Sequence, residues 1–509
     1  MNNSSKQIKT GAIMSYIAIA FNMLSGLIYT PWMIKQIGQE NYGLYTLATS
    51  LITLFVMDFG MSAAVTRFVS KYNAEGKQEK VNNFLGIVYK LYLAIDAIVF
   101  VVLIVAGCFT GTIYENLTAS ELETFKVLYV IVGLFTVVSF PFTNLNGILT
   151  AYEQFVGLKI ADLFHKAFII VAMVIALLLG YGVYALVVVN ALSGLLTIAI
   201  KLVIIKKKTK VKVNFKYKDK GLLKEIFGFS VWVMVSSLAQ RLIFNITPSI
   251  IAAVSTTGTV GIAIFSMSQT IEGYIYTFAT ATNGMFMPRI SKILHNGKKD
   301  TELMSLLIKV GRIQCLIIGL LVAGFIAVGH SFIVDFWHRP EFAESYICAV
   351  LLIIPCFFEL PMQIANTALV VENKINLRSY VFVTTGIINV ALSFVLSKHL
   401  GAFGASISIF IAQTIRAVLM AIINHKVLKI NMFKFVKETF IKLMPPMLLA
   451  MLIGLALEHF NPLAHGVLRF SINSLVFVTA FIAFVMFKLN DYEKNLFFGK
   501  LKKLVKKSI

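Results

Sequence analysis

The sequence predicts an all-α integral membrane protein with 14 transmembrane helices, arranged as two parallel-repeated six-helix lobes plus two C-terminal helices. Three observations predict it. Of the 509 residues, 58% are apolar and only 14% are charged, with a mean hydropathy of +0.82; a soluble domain carries about 25% charged residues. Fourteen apolar runs come near or exceed the roughly 20 residues that cross a hydrocarbon core. The two halves of the chain also repeat one another at offsets of 217 to 221 positions. An ordinary soluble enzyme and a disordered regulator are both excluded.

The runs are 11–34, 42–65, 84–109, 125–150, 160–179, 183–205, 226–253, 261–286, 304–329, 346–371, 379–397, 401–425, 443–458 and 467–487. Spans five and six are split only by Gly180-Tyr181-Gly182, and spans thirteen and fourteen flank Asn461-Pro462. The first run is long and lacks a small-residue cleavage site, so it reads as a retained helix.

Charge orients these spans. Lys and Arg number 46 against 24 Asp and Glu, a net +22. On a soluble face that excess would suggest nucleic acid, so the placement of the charges decides. With a cytoplasmic N-terminus, the inner segments 1–10, 66–83, 151–159, 206–225, 287–303, 372–378, 426–442 and 488–509 hold 34 of the basic residues. The outer loops hold only Lys35, Arg339 and Lys398, and nine more lie within spans. This is a positive-inside distribution with both termini cytoplasmic; it calls for no nucleic-acid partner. The loop 110–124 carries Glu115, Glu121 and Glu123 and no basic residue, as an external loop can. Cys108, Cys315, Cys348 and Cys356 lie in or beside spans without metal-ligand spacing and read as small buried hydrophobes.

The basic stretch 206–225, KKKTKVKVNFKYKDKGLLKE, divides an N-terminal lobe (1–205) from a C-terminal lobe (226–425). Residues 426–487 add the last two spans, and 488–509 form a basic tail. Thr30-Pro31 recurs as Thr247-Pro248, and Gly43-Leu44 as Gly261-Ile262. Ser70, Lys71, Gly76 and Lys77 match Ser291, Lys292, Gly297 and Lys298, while Pro141 and Asn146 match Pro361 and Asn366. Because the offset covers six spans, the halves share one orientation, as in transporters that rock two bundles about a midplane site.

The run Thr30-Pro31 through Ile37-Gly38-Gln39-Glu40-Asn41-Tyr42-Gly43-Leu44-Tyr45, then Asp58-Phe59-Gly60-Met61 and Arg67-Phe68, resembles the opening of Wzx-type O-antigen and capsule repeat-unit flippases. These belong to the multidrug/oligosaccharidyl-lipid/polysaccharide (MOP) exporter superfamily. The resemblance implies a MATE-like, V-shaped pair of lobes. It also implies movement of undecaprenyl-diphosphate-linked oligosaccharides from the cytoplasmic to the outer leaflet of a bacterial cytoplasmic membrane. Transport in the family is thought to be driven by an ion gradient, H+ or Na+, with no other cofactor, and the chain has no GxxxxGK[ST] run to cradle nucleotide phosphates. One departure is visible: Asn245 stands near Thr247-Pro248, where relatives often carry an acidic residue.

Ionisable groups deep in a span cost about 3 kcal/mol or more, so each asks for an explanation. At 1.5 Å per residue, Arg241 lies about 22 Å from the cytoplasmic boundary, Glu272 about 21 Å, and Glu359 and Asp96 about 18 Å. Arg241 is expected either to fork onto a lipid diphosphate or to pair structurally with Glu272. Glu272, Glu359 and Asp96 are candidates for ion coupling, because burial moves a carboxylate's proton affinity toward working pH; the alternative for each is an interhelical hydrogen bond. Lys90, Lys166, Lys309 and Arg312 lie within about two turns of the inner face, and Arg416 slightly deeper. They either snorkel to headgroups or line a vestibule for an anionic lipid.

Asp58 in the Asp-Phe-Gly-Met run is a packing or gating candidate, with Arg67 and Arg289 as possible inner-end partners. Pro141 and Pro361 are expected to kink or hinge their helices. Asp162, His165 and Lys166 share a helical face but are too few for a metal. Tyr89, Tyr92, Tyr274 and Tyr276 are read as packing or interfacial residues before sugar-stacking ones. The tail 494–509 sets Phe497, Leu501, Leu504 and Val505 among lysines, a pattern for an amphipathic helix on anionic phospholipid.

These features point to a secondary transporter that flips a lipid-linked glycan, working beside polysaccharide polymerase and glycosyltransferases. A cation-coupled multidrug exporter of the same superfamily is the nearest alternative. A membrane glycosyltransferase or polymerase would need clustered interfacial carboxylates and often large external loops, neither of which is present; a scaffold or channel fits poorly with duplicated lobes and lone deep charges.

Overall fold

The computed structural model describes residues 3–55, 61–280, 290, 293–294, 302–372, 374–461 and 466–495. Among them every regular element is helical: α1 (Asn3–Ile37), α2 (Gln39–Phe55), α3 (Met61–Ala74), α4 (Gln78–Cys108), α5 (Thr110–Ile113), α6 (Ala119–Ser139), α7 (Leu145–Ala151), α8 (Phe155–Leu178), α9 (Gly182–Lys208), α10 (Lys220–Phe244), α11 (Thr247–Val254), α12 (Gly258–Thr280), α13 (Met304–Ser331), α14 (Glu344–Glu359), α15 (Gln363–Val371), α16 (Ile375–Val427), α17 (Met432–Val436), α18 (Met444–Phe460) and α19 (Val467–Met486). Ten helices or joined helix pairs among the described residues are long and apolar enough to cross a membrane. Their outward faces are apolar, as Ile98, Val101, Val130, Leu134, Val171, Ile175 and Leu195 on α4, α6, α8 and α9 illustrate. Such surface is tolerable in lipid, where the helical backbone satisfies its own polar groups.

The breaks in the helices have local causes. Pro141 and Pro361 each open a 3₁₀ turn, Phe140–Phe142 and Leu360–Met362, that separates α6 from α7 and α14 from α15. Proline removes a backbone donor and crowds the preceding turn, which interrupts the regular helix at both places. The 53 residues of α16 hold two expected spans, parted at Gly401, whose φ of 53° and ψ of −131° are not helical. The carbonyl oxygen of Leu396 lies only 2.3 Å from where a Cβ on Gly404 would sit. In a straight helix those residues would be about 12 Å apart, so the chain reverses between them.

Two compact units form, residues 1–266 with 382–408, and 267–381 with 409–509. They do not coincide with the two halves of the chain. In the first unit α10 and α11 pack on α2 and α3, and Asn389 Nδ2 donates to the carbonyls of Leu242 and Ile243 at 3.1 and 3.2 Å. The core of this unit gathers Phe68, Phe84, Tyr92 and Phe140, with Tyr92 edge-on to Phe140 at 5.5 Å. Tyr92 is thus a packing residue. In the second unit α13 packs against α14, α18 and α19, and Phe477 of α19 closes against Gly324 and Gly454.

The basic linker is an ordered strap. Val211, Val213 and Tyr217 pack on the first unit's core, while Lys210, Lys212, Lys216 and Lys218 stay exposed. Along 210–213 this is the period-two alternation of an extended chain, followed by a turn at Phe215-Lys216. Lys212 N–H donates to Asn82 Oδ1 at 2.9 Å, Asn214 N–H to the Asn82 carbonyl at 3.1 Å and Asn214 Nδ2 to Asn83 Oδ1 at 2.7 Å. The strap crosses α4 at Gly86, where a Cβ would sit 1.9 Å from the Asn214 carbonyl oxygen. Asp219 then caps α10, accepting from the N–H groups of Gly221 and Leu222 at 2.8 and 3.0 Å.

Candidate functional site

The break at Pro141 opens a cavity in the first unit. It measures about 480 Å³ and is bounded by α1, the α6–α7 break, α8 and α9. Gly194 lets the wall close, since a Cβ there would lie 2.3 Å from the Phe135 ring. Three lysines line it: Lys159 and Lys166 from α8 and Lys201 from α9. Asp162 is the acidic member, its Oδ1 accepting from Lys201 Nζ at 3.0 Å while Lys159 Nζ stands 3.7 Å from Oδ2. Lys201 Nζ also donates to Asn146 Oδ1 at 2.9 Å. Lys166 has no ion-pair partner among the described residues. Three cations against one carboxylate leave the cavity with an excess of two positive charges. Such a chamber, walled in part by Phe135, Leu163 and Ile198, suits an anionic group carried on an amphiphile.

A second set of charges is closed. In the second unit Arg416 donates through Nη2 and Nε to Glu359 Oε2, at 2.7 and 3.1 Å, and both side chains are buried. Glu272 is buried beside them, accepting from Cys356 Sγ at 3.5 Å and lying within electrostatic reach of Arg416 and Glu359. Glu272, Glu359 and Arg416 therefore form one cluster, with Arg378 also within electrostatic reach of Glu359 and Arg416, and Arg416 belongs to it as an internal counter-ion.

A family model for polysaccharide biosynthesis proteins matches residues 8–294, more than half of the chain. The chain belongs to the polysaccharide biosynthesis protein family. An uncharacterized membrane protein of Methanocaldococcus jannaschii is 25% identical over 416 residues, covering 78% of this chain and 94% of its own. Among solved structures, a lipid II flippase, MurJ, in an inward closed conformation aligns with a TM-score of 0.69 at 14% identity, covering 98% of this chain and 99% of its own. An inward-facing multidrug resistance MATE family transporter of the MOP superfamily aligns with a TM-score of 0.65 at 15% identity, over 84% and 99%. Family and comparison together make this a polysaccharide biosynthesis protein with ten membrane-crossing apolar helices among its described residues, sharing the fold of these two transporters.

Of the candidate cations, the cavity of this family member takes Lys166 but not the others. Arg312 is a buried clamp: it donates to Glu493 Oε1 and Oε2 at 2.5 and 2.9 Å, and to the carbonyls of Glu438 and Lys488 at 2.7 and 3.0 Å. Lys309 Nζ stands 3.5 Å over the Tyr492 ring, so both secure the segment after α19 instead of facing substrate. Lys90 holds the strap through the Tyr217 carbonyl, and Tyr89 meets Phe215 of the strap. Each within its own unit, Arg241 donates to the Thr53 carbonyl and Glu272 accepts from the Cys356 thiol.

Asp96 is buried on α4, and its Oδ1 accepts no hydrogen bond among the described residues. Cys108 is exposed, unlike the three buried cysteines. Among the described residues no three His, Cys, Asp or Glu side chains gather to hold a metal. Arg67 lies 5.7 Å from the Phe68 ring centroid. Asp58, Arg289 and the tail from 496 onward lie outside the described residues. One lining cation, Lys201, does not stand out in the sequence from the other basic residues near the inner ends of spans. Its signal is the position two turns along α9 from Gly194 and opposite Asn146, the partner of Asn366 in the repeat.

Proposed function

We propose that this protein flips undecaprenyl-diphosphate-linked oligosaccharide repeat units from the cytoplasmic to the outer leaflet, for surface polysaccharide assembly. The observation that carries the reading is the lysine-lined cavity among membrane-crossing helices of a polysaccharide biosynthesis protein. A lipid diphosphate brings the negative charge that Lys166 lacks and that Asp162 alone divides between Lys159 and Lys201, and its sugars and prenyl chain extend from that seat. Two parallel six-helix repeats would alternate access, with Pro141 and Pro361 as hinges and an H+ or Na+ gradient as the driving force. Asp96 and the Glu272–Glu359–Arg416 cluster are the places where a coupling ion acts. The positive-inside pattern supports a cytoplasmic-membrane location with both termini inside.

The test is reconstitution in liposomes with a prenyl-diphosphate-linked fluorescent glycan, its leaflet read by a membrane-impermeant quencher. The wild-type chain should equilibrate the probe between leaflets, and Lys166→Ala with Lys201→Ala should slow it at least tenfold while the protein still inserts. Export of cationic drugs with no glycan movement would overturn the reading in favour of a multidrug exporter.

A further inference from the structure

The cavity contains one titratable group that the anion seat does not use. His165 lines it from α8, and its Nδ1 meets two hydroxyls of α9, Ser193 Oγ at 2.8 Å and Thr197 Oγ1 at 3.1 Å. Each hydroxyl also contacts a backbone carbonyl: Ser193 Oγ that of His165 at 3.2 Å, and Thr197 Oγ1 that of Ser193 at 2.8 Å. A hydroxyl has one proton to give. All four contacts are satisfied together only when the hydroxyls donate to the carbonyls and Nδ1–H donates to both hydroxyl oxygens. That assignment fixes the tautomer and leaves Nε2 with a free lone pair. A proton arriving at Nε2 disturbs none of the Nδ1 contacts, so the ring is built to gain and lose one without rearranging.

The other titratable groups lining the cavity are differently placed. Lys159, Lys166 and Lys201 are the basic groups of the seat itself, and the Asp162 carboxylate is occupied by Lys201 and Lys159. The walls from α1 and from α6 and α7 bring uncharged Asn22, Ser139, Thr143 and Asn146. In the empty cavity the lysines repel a proton from Nε2. An anion seated on Lys166 and Lys201 cancels that repulsion, so anion and proton favour one another's arrival, and by linkage each must raise the affinity for the other.

We propose that His165 is the proton acceptor of this cavity: Nε2 takes a proton from solvent as a phosphate-bearing ligand binds and returns it when the ligand leaves. The proposal rests on the reading of the cavity as a phosphate seat, and it adds a proton-linked group within that seat to the coupling candidates Asp96 and the Glu272–Glu359–Arg416 cluster.

Calorimetry on the purified full chain, in buffers of differing ionisation enthalpy between pH 6 and pH 8.5, counts the protons bound with each ligand. Farnesyl diphosphate and inorganic pyrophosphate are the probes, the first standing for a lipid source of the phosphate and the second for a soluble one. The wild type should take up close to one proton more per ligand than His165→Gln, and its affinity should fall by up to about tenfold more per pH unit on the alkaline side. The ligand's own ionisation is common to both proteins and cancels in the difference. Lys166→Gln should weaken binding yet retain the extra proton. Equal proton uptake in the wild type and His165→Gln overturns the proposal, as does failure of the wild type to bind either probe. Proton-linked binding in a protein that moves no glycan in liposomes supports the proposal and overturns the flippase reading alone. Glycan movement with no His165-dependent proton does the reverse.

Discussion

Replacing Arg312 with alanine tests how the chain after α19 is held. The guanidinium is 6% exposed and its partner Glu493 1% exposed, and the same guanidinium serves the carbonyls of Glu438 and Lys488. Glu493 in turn accepts from the Asn490 N–H at 2.9 Å and returns its own N–H to Asn490 Oδ1 at 2.9 Å, a reciprocal cap at the start of the last described turn. Removing one partner of a buried ion pair costs about 3–5 kcal/mol, because a charge is left buried alone. The cheapest escape is local: the segment 488–495 lifts off and hydrates Glu493. At about 1.4 kcal/mol per decade, the opening equilibrium should shift by roughly 10²- to 10³-fold. Hydrogen exchange of peptides covering 488–495, and trypsin cleavage at Lys488 and Lys494, both follow that equilibrium when opening is fast. Replacing Arg312 and Glu493 together with leucine should recover at least tenfold of the lost protection, since no buried charge remains. Arg312→Ala exchanging within threefold of the wild type would refute the reasoning.

Two further substitutions probe the first unit. Gly43→Ala places a Cβ 2.2 Å from the Thr259 carbonyl oxygen; pushing α2 and α12 apart should cost about 1–3 kcal/mol, seen as a lower melting temperature in detergent, and an unchanged melt would count against the close approach. Asp219→Ala should fray the start of α10. Hydrogen bonds from the Leu222 N–H, the Tyr217 hydroxyl and the Gly221 N–H hold the Asp219 carboxyl below its ordinary value. Its contribution is therefore complete above that ordinary value and is lost as pH falls through the lowered one. The amides of Gly221 and Leu222 should exchange as fast in the wild type at low pH as in the variant at neutral pH; equal protection in the two proteins at neutral pH would rule the cap out.

The spans were legible because their cause is local: apolar length, with prolines where the helices break. The deep charges Glu272, Glu359 and Arg416 were legible too, since each stands out against an apolar run. Their partners were not. Arg312 finds Glu493 across 181 positions, and no helical period encodes that distance. The linker read as a divider because lysines dominate its composition; that Val211, Val213 and Tyr217 would turn inward depends on a groove over Gly86 that exists only once α4 has folded. Lys201 was hidden for the opposite reason. A lysine near the inner end of a span satisfies the positive-inside rule whatever else it does, so its role appears only when Asp162 and Asn146 are seen beside it.

The repeat explains how one frame came to hold two unlike charge sites. Asn146 follows the Pro141 break and receives Lys201; at the matching place Asn366 follows the Pro361 break and receives Asn424 Nδ2 at 3.2 Å. Each matched asparagine thus receives a side chain from a later helix, a cation at Asn146 and an amide at Asn366. Where the amide stands, the side chains are fully or nearly buried, Asn424 at 0% and Asn366 at 5% exposure, and the Glu359 carboxylate is already paired with Arg416. With a lysine there instead, burial without a counter-charge would be costly, and the site keeps an opening of about 480 Å³ with Asp162 supplying only part of the neutralisation. The unmet positive charge is a standing demand for an anion, and the frame leaves that demand in the first unit alone among these two matched positions.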